Sequence, residues 1–470
     1  MDCLRITGPV RLHGTVACSG SKNAALPIMA ASILADGPVV LSGVPELADV
    51  RTLSLLLDEL GVAVERDAAG NLHLSTFDEL PTTADYQLVH RMRASFCVLG
   101  PLLARRGRAV VSLPGGCNIG DRPVDLHLAG LQALGADLRI ERGYVIAEAP
   151  QLRGAKIDLR GPHGSTVTGT ANVMTAATLA AGKTVITGAA IEPEIVDLGQ
   201  FLISAGAEIF GLGTDTIEII GVERLSGTHH QIIPDRIEAA TLLIAAAITQ
   251  GTVSVVGARA DHLSAVLESL AAMGMDVACG QDKITVHAGG RPRPLDLIAR
   301  PYPGIPTDLQ AQFMALLSLA DGASVIADDV FPDRALHIAE LTRLGARIER
   351  RGKIAVTSGV HRLTGAEVAA TDLRASAALV LAGMAATGET VMHHLEHLDR
   401  GYERLDDKLV ALGAQIVRQS DRAALDRGPT ADMPLASEPI VPASTSRPYA
   451  RVRGDRAGRA MGLRGEAIRS

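Results

Sequence analysis

The chain has 470 residues, 47% of them apolar, which is enough for a large core and for two or three domains. Aromatics make up 2% and Trp is absent, so that core must be aliphatic. The net charge of −7 offers no basic excess for nucleic acid, and the five cysteines (Cys3, Cys18, Cys97, Cys117, Cys279) are scattered without a CxxC, which favours a reducing compartment over a disulfide framework.

The first twenty residues, "MDCLRITGPVRLHGTVACSG", read as strands without a helix pair. They lack a basic segment followed by an apolar stretch, so no secretory signal is expected. They suit the missing strands of a unit closed elsewhere in the chain. From Asn23 a two-part pattern begins and recurs. Its first part is a small-residue helix, apolar nearly all round, then a Gly turn and a β-branched strand. Copies start at Asn23, Arg93, Thr170, Arg236, Asp308 and Asp372. A helix apolar on every face is a buried helix.

The second part is an amphipathic helix end, a Gly stop and a strand. "LDELGVAV", "LQALGADL", "LISAGAEI", "LAAMGMDV", "LTRLGARI" and "LVALGAQI" start at Leu57, Leu131, Leu202, Leu270, Leu341 and Leu409, spaced 68 to 74 residues apart. Gly61, Gly135, Gly206, Gly274, Gly345 and Gly413 hold the stop. One unit therefore reads helix, strand, helix, strand, strand, and the chain is α/β with six units. They sort into three plus three, with a break at the turn-rich "GTHHQIIPD" near residue 230. The expected domains are 22–232, and 1–21 with 233–421. The longest apolar run, Ala239–Ile248, is broken by Thr241 and falls far short of the roughly 20 residues of a spanning helix, so no membrane partner is expected. Residues 422–470, with seven Arg between Ala443 and Ser470, lack periodicity and are expected to be disordered, either as a solvated extension or as an arm for an anionic partner.

Charged and polar residues gather at the starts of the buried helices: Lys22 and Asn23, Arg93, Asp235 and Arg236, Asp308, and Asp372 with Arg374. An Asp there is explained as an N-cap, whereas Lys and Arg oppose the helix dipole. Equivalent helix ends facing one cleft would make a polyanion site. Arg122, Arg334 and Arg400 on loops fit either surface ion pairs or the same ligand. Asp308 has two readings, a cap or a general base held ionised among cations. His127 and His393–His394 have no ligand spacing and read as structural. Lys183 in "AAGKT" lacks the full phosphate loop. Cys97 reads as inert packing. Cys117, in "LPGGCNIGDRPVD" beside Arg122, reads as a reactive thiol on a lid loop.

The motifs "GSKNAALPIMAA", "RMRAS", "LPGGCNIGDRPVDLH", "EPEIVD", "PDRIEA", "PTDLQAQF", "DLRASAALVLAG" and "DRGYERL", in this order over about residues 1 to 420, resemble the enolpyruvyl transferases. The resemblance implies a two-domain inside-out α/β barrel of six βαβαββ repeats, three per domain. It implies a cytoplasmic enzyme of peptidoglycan synthesis that transfers the enolpyruvyl group of phosphoenolpyruvate to the 3-hydroxyl of UDP-N-acetylglucosamine, releasing phosphate. No metal or organic cofactor is implied. Carried over by position, Lys22, Arg122 and Arg400 grip phosphoenolpyruvate. Asn23 contacts both substrates. Arg93, Arg122, Pro123, Val124, Asp125, Leu126 and Val330 hold the nucleotide sugar. Asp308 takes the hydroxyl proton, Cys117 protonates the methylene carbon, and Arg334 and Arg374 complete the charged site. Asp49 joins Arg400 when the lid shuts. Two positions depart from the pattern: Gly164, beside His163, stands where the family has a Lys reaching the diphosphate, and Pro332 stands where a Glu is common.

Overall fold

The computed structural model describes residues 2–115, 123–162 and 164–419. The Cys117 and Arg122 positions, His163 and the tail expected to be disordered lie outside the described residues. Six four-stranded sheets carry one topology. In each, the first two strands run parallel and the other two pairs antiparallel. The sequence order explains this: a strand before the buried helix and one after it pair in parallel, and the two later strands fold back as a hairpin.

Three sheets borrow a strand. His229–Gln231 opens the sheet of the first unit, beside Val39–Ser42. His13–Ala17 opens that of the fourth, beside Thr252–Val256. Cys3–Gly8 closes that of the sixth, between Gly388–His393 and Gln415–Gln419. The N-terminal strands are the closing strands their sequence suggests.

Two aliphatic cores follow. One draws on residues 24–232, the other on residues 4–16 and 237–416. Helix Arg236–Ile248 is buried along its whole length and packs on Gln310–Leu317 and Leu373–Ala385, which also pack on each other. In the other lobe Lys22–Ala31, Leu99–Arg106 and Val167–Ala177 form the inner layer. Alanines on these helices let the axes approach closely, so each lobe has its helices inside and its sheets outside. No described helix is long and apolar enough to cross a membrane.

The six stop glycines all have positive φ, between 79° and 106°. In the last five units the glycine amide donates to the carbonyl three residues back, and the next amide donates to the carbonyl five back, as Gly135 to Gln132 and Ala136 to Leu131. That pairing closes the helix end and needs a left-handed residue.

Two buried helices begin differently from their sequence expectation. Arg93–Val98 and Thr307–Leu309 are 3-10 turns, and the α-helices start at Leu99 and Gln310. Asp308 caps nothing: neither its own turn nor the helix after it has a side-chain cap. Asp235 and Asp372, by contrast, accept from the first amides of their helices.

Candidate active site

The chain passes from one core to the other between Val16 and Ala24 and between Ile232 and Ile237. Asp235 N donates to Ser19 O at 2.8 Å and Ser21 N to Ile233 O at 2.7 Å, so the crossings are laced together. Gly20 is pressed so closely on Gly43 that any Cβ would overlap its carbonyl. This crossing leads directly into Lys22 and Asn23 at the start of helix Lys22–Ala31, capped by Ser21.

Lys22 Nζ lies 3.1 Å from Asp49 Oδ2, and Arg400 Nε lies 2.8 Å from Asp49 Oδ1. Lys22 and Asp49 are both buried. Burial pushes the Asp49 carboxyl up, but Lys22 and Arg400 outweigh it and hold the group below the ordinary carboxylate range. Asp49 comes from the first turn of helix Ala48–Glu59 in one lobe and Arg400 from the other, so the pair joins the two.

The second cluster centres on Asp308. Arg374 Nη2 donates to Oδ2 at 2.8 Å, Arg334 Nη1 to Oδ1 at 3.1 Å, and Asn23 Nδ2 approaches Oδ2 at 3.5 Å. Burial again pushes the carboxyl up, and Arg374, Arg334 and Lys22 drive it far below the usual range, so Asp308 is ionised. Arg374 is 1% exposed and lies over the Tyr402 ring, 5.2 Å from its centroid. Its Nε and Nη1, with Arg334 Nε, have no acceptor among the described residues. Buried guanidinium donors without acceptors suit an anionic guest.

Val330 and Arg334 share one loop. Asp328 Oδ1 accepts from Val330 N at 3.0 Å and Phe331 N at 2.7 Å, while its Oδ2 accepts from Thr307 Oγ1 at 2.6 Å. Arg334 Nη1 also reaches Thr307 O at 2.7 Å. The buried Arg334 is thus no surface ion pair. Pro332 sits at the outer edge of this loop, its carbonyl facing Arg350. On the other lobe, Arg93 Nη2 donates to Pro123 O at 3.1 Å. That contact joins Arg93 to the segment running through Val124 into helix Asp125–Ala133, where Leu126 packs on the core and Asp125 is exposed. Arg93 is therefore tied to the 123–126 segment.

Arg236 departs from a common polyanion site. Its Nε and Nη2 fork onto Glu194 at 2.8 and 3.2 Å, and it lies over the Tyr302 ring. Sequence reasoning missed Glu194, Asp328 and Tyr402. Glu194 in "EPEIVD" opens a helix as Asp49 does, and Tyr402 lies two residues after Arg400; those positions are the signals that could have found them. His127 is structural, as expected: it contacts Asn172 at 2.9 Å and Thr168 at 3.2 Å. Lys183 pairs with Glu218 at an exposed edge. Burial pushes the Cys97 thiol up to about 12, against a lowering by Arg93, which makes it inert at neutral pH.

Gly164 has φ +99°, and a Cβ there would lie 2.9 Å from Pro301 Cγ of the opposite lobe. Gly164→Ala is expected to cost about 1–3 kcal/mol through backbone strain. A urea midpoint equal to that of the unaltered chain would show that this seam yields freely.

Six units with helices inside and charged helix ends meeting between two lobes are the enolpyruvyl transferase fold. The chain belongs to the EPSP synthase (3-phosphoshikimate 1-carboxyvinyltransferase) family, whose model matches residues 6–409. It is 53% identical over 423 residues to a UDP-N-acetylglucosamine 1-carboxyvinyltransferase of Anaeromyxobacter sp. (strain Fw109-5), covering 89% of this chain and 100% of the relative. An Akkermansia muciniphila protein of the same name is 50% identical, over 90% of this chain and 99% of the relative. The crystal structure of the enolpyruvyl transferase NikO from Streptomyces tendae matches with a TM-score of 0.80 at 27% identity, covering 89% of this chain and 98% of that one. EPSP synthase from Acinetobacter baumannii, at 20% identity and a TM-score of 0.68 over 89% of this chain and 100% of that one, shares the fold.

Proposed function

We propose that this chain transfers the enolpyruvyl group of phosphoenolpyruvate to the 3-hydroxyl of UDP-N-acetylglucosamine and releases phosphate. The observation that carries this is the convergence of Lys22, Asn23, Asp49, Asp308, Arg334, Arg374 and Arg400 from two lobes in one chain of contacts. Residues 22–232 on one side, and 1–21 with 233–421 on the other, are the bodies that close on substrate.

Cys117 delivers a proton to the methylene carbon of phosphoenolpyruvate, and positive charge develops at the neighbouring carbon. The sugar 3-hydroxyl attacks there and its proton passes to Asp308. The tetrahedral adduct then loses a proton from the new methyl group back to the Cys117 thiolate, the carbon–oxygen bond to phosphate breaks with its electron pair leaving on phosphate, and the enol ether is restored on the sugar. Lys22, Arg122 and Arg400 hold the phosphate and carboxylate throughout. Arg374 and Arg334 stabilise the anionic charge, which their unpaired buried donors suit. Arg93, Pro123, Val124, Asp125, Leu126 and Val330 hold the nucleotide sugar. Asp308 is ionised but weakly basic while both guanidiniums face it. Its basicity has to rise when substrate oxygens draw those guanidiniums away.

The test is phosphate release from phosphoenolpyruvate, which should require UDP-N-acetylglucosamine. Absence of release with both present, in folded protein, would overturn the proposal. The seam at Gly164 favours a second reading, transfer to another acceptor. A panel of nucleotide sugars with shikimate 3-phosphate separates the two. Cys117→Ser is expected to lose most turnover and Cys117→Asp to retain it, because a carboxyl also donates a proton. Near-unaltered rates for both would remove the acid role.

A further inference from the structure

The segment that presents Asp49 is capped from the opposite lobe. Helix Ala48–Glu59 has Leu47 at its N-cap, a side chain with no oxygen to accept its first amides. Instead Ala48 N donates to Asp399 O at 3.1 Å, and Glu46 N, two residues earlier, donates to Glu403 Oε1 at 2.6 Å. Asp399 and Glu403 flank Arg400 on one turn, so the turn that offers Arg400 to Asp49 also closes the helix end behind Asp49.

The other oxygen of Glu403 reaches the crossing itself. Ser19 Oγ donates to Glu403 Oε2 at 2.5 Å and accepts from Lys408 Nζ at 2.6 Å. Lys408 Nζ also donates to Glu238 Oε1 at 2.5 Å, which accepts from Ser19 N at 3.0 Å. Glu238 is buried in the first turn of helix Arg236–Ile248, immediately after the second crossing. A single carboxylate therefore bridges one lobe's Glu46 amide and the crossing residue Ser19 while anchored in the other lobe. Separating the lobes along this edge must break its bond to Glu46.

We propose that Glu403 is a positioning residue for the transfer reaction, coupling the crossing at Ser19 to the Asp49–Arg400 contact and so setting how readily the lobes close. This rests on the reading of the chain as an enolpyruvyl transferase. A charged acceptor bridging two bodies adds to the closed state, and the affinity of a closing ligand is reduced by the fraction of protein not yet competent.

In the full chain, Glu403→Ala is expected to raise the KM for phosphoenolpyruvate about tenfold with kcat at saturation nearly unchanged. Without any ligand, amide hydrogen exchange in the peptide covering 44–53 should rise about tenfold, while the peptide covering 238–248 stays as in the unaltered protein. Glu403→Gln, which still accepts from Glu46 N, should restore most of both. If Glu403→Ala does not fold, Glu403→Asp, too short to span both partners, takes its place with the same expectation. Unchanged exchange in 44–53, exchange rising equally in 238–248, or a fall in kcat with KM unmoved would overturn the proposal. Exchange is read without substrate, so an unaltered chain that fails to turn over refutes the transferase reading and leaves this coupling to stand or fall on exchange alone.

Discussion

Asp308→Asn is expected to lower kcat by about a hundred- to ten-thousand-fold, the range for loss of a positioned acid–base group. The substitution keeps the shape and removes the charge. The amide can accept one hydrogen bond from a guanidinium but must turn its own donors toward the other, and Arg374 and Arg334 both face it in the structure. Single-turnover phosphate release, with circular dichroism confirming the fold, is the measurement. A variant retaining more than about a tenth of the unaltered kcat would remove Asp308 from the proton transfer.

The same variant carries a pH signature with a definite sign. Arg374 and Arg334 hold the Asp308 carboxyl far below its value in the unfolded chain, which is about 3.9. The ion pair therefore stabilises the fold fully above that unfolded value. The stabilisation is lost only as pH falls from there through the folded value. The stability difference between the unaltered chain and Asp308→Asn should thus be flat from neutral pH to mild acid and shrink below it.

Arg374→Met should cost about 3–5 kcal/mol of stability, the usual result of removing one partner from a buried pair. Arg374 is among the largest fully buried side chains, and it holds both Asp308 and the Tyr402 ring. Methionine fills much of the volume but leaves the Asp308 carboxylate without its 2.8 Å partner. Urea denaturation reads the loss. Combining Arg374→Met with Asp308→Asn should cost less than the sum of the two, because the second change removes the charge that the first leaves to Arg334 alone. Strict additivity would mean the two groups do not act as a pair.

The repeat was legible because each unit carries its own local signals. A small-residue run, a β-branched strand and a glycine stop recur at a nearly fixed spacing, and each encodes a local preference that tertiary packing reinforces. The 3-10 starts at Arg93 and Thr307 were not legible, because the same side chains serve a 3-10 turn and an α-turn alike, and packing chooses between them. The residue types of the site were visible as charges where an apolar helix begins. Their partners were not. Asp235, Asp308 and Asp372 look equivalent in sequence, yet two cap their helices and the third gathers arginines.

By itself the sequence determined the six units, their buried and amphipathic helices, and the positions from which charge would be offered, since all of these depend on neighbours within a few turns of chain. Only the tertiary structure decided which charges meet. Lys22 and Arg400 share Asp49 across 27 and 351 residues of chain, and Arg236 is taken up by Glu194 instead. Ion pairing of that kind acts through space over a few ångströms and carries no signature along the chain, so it exists only once packing has brought the partners together, within one lobe for Lys22 and Asp49 and across both for Arg400 and Asp49.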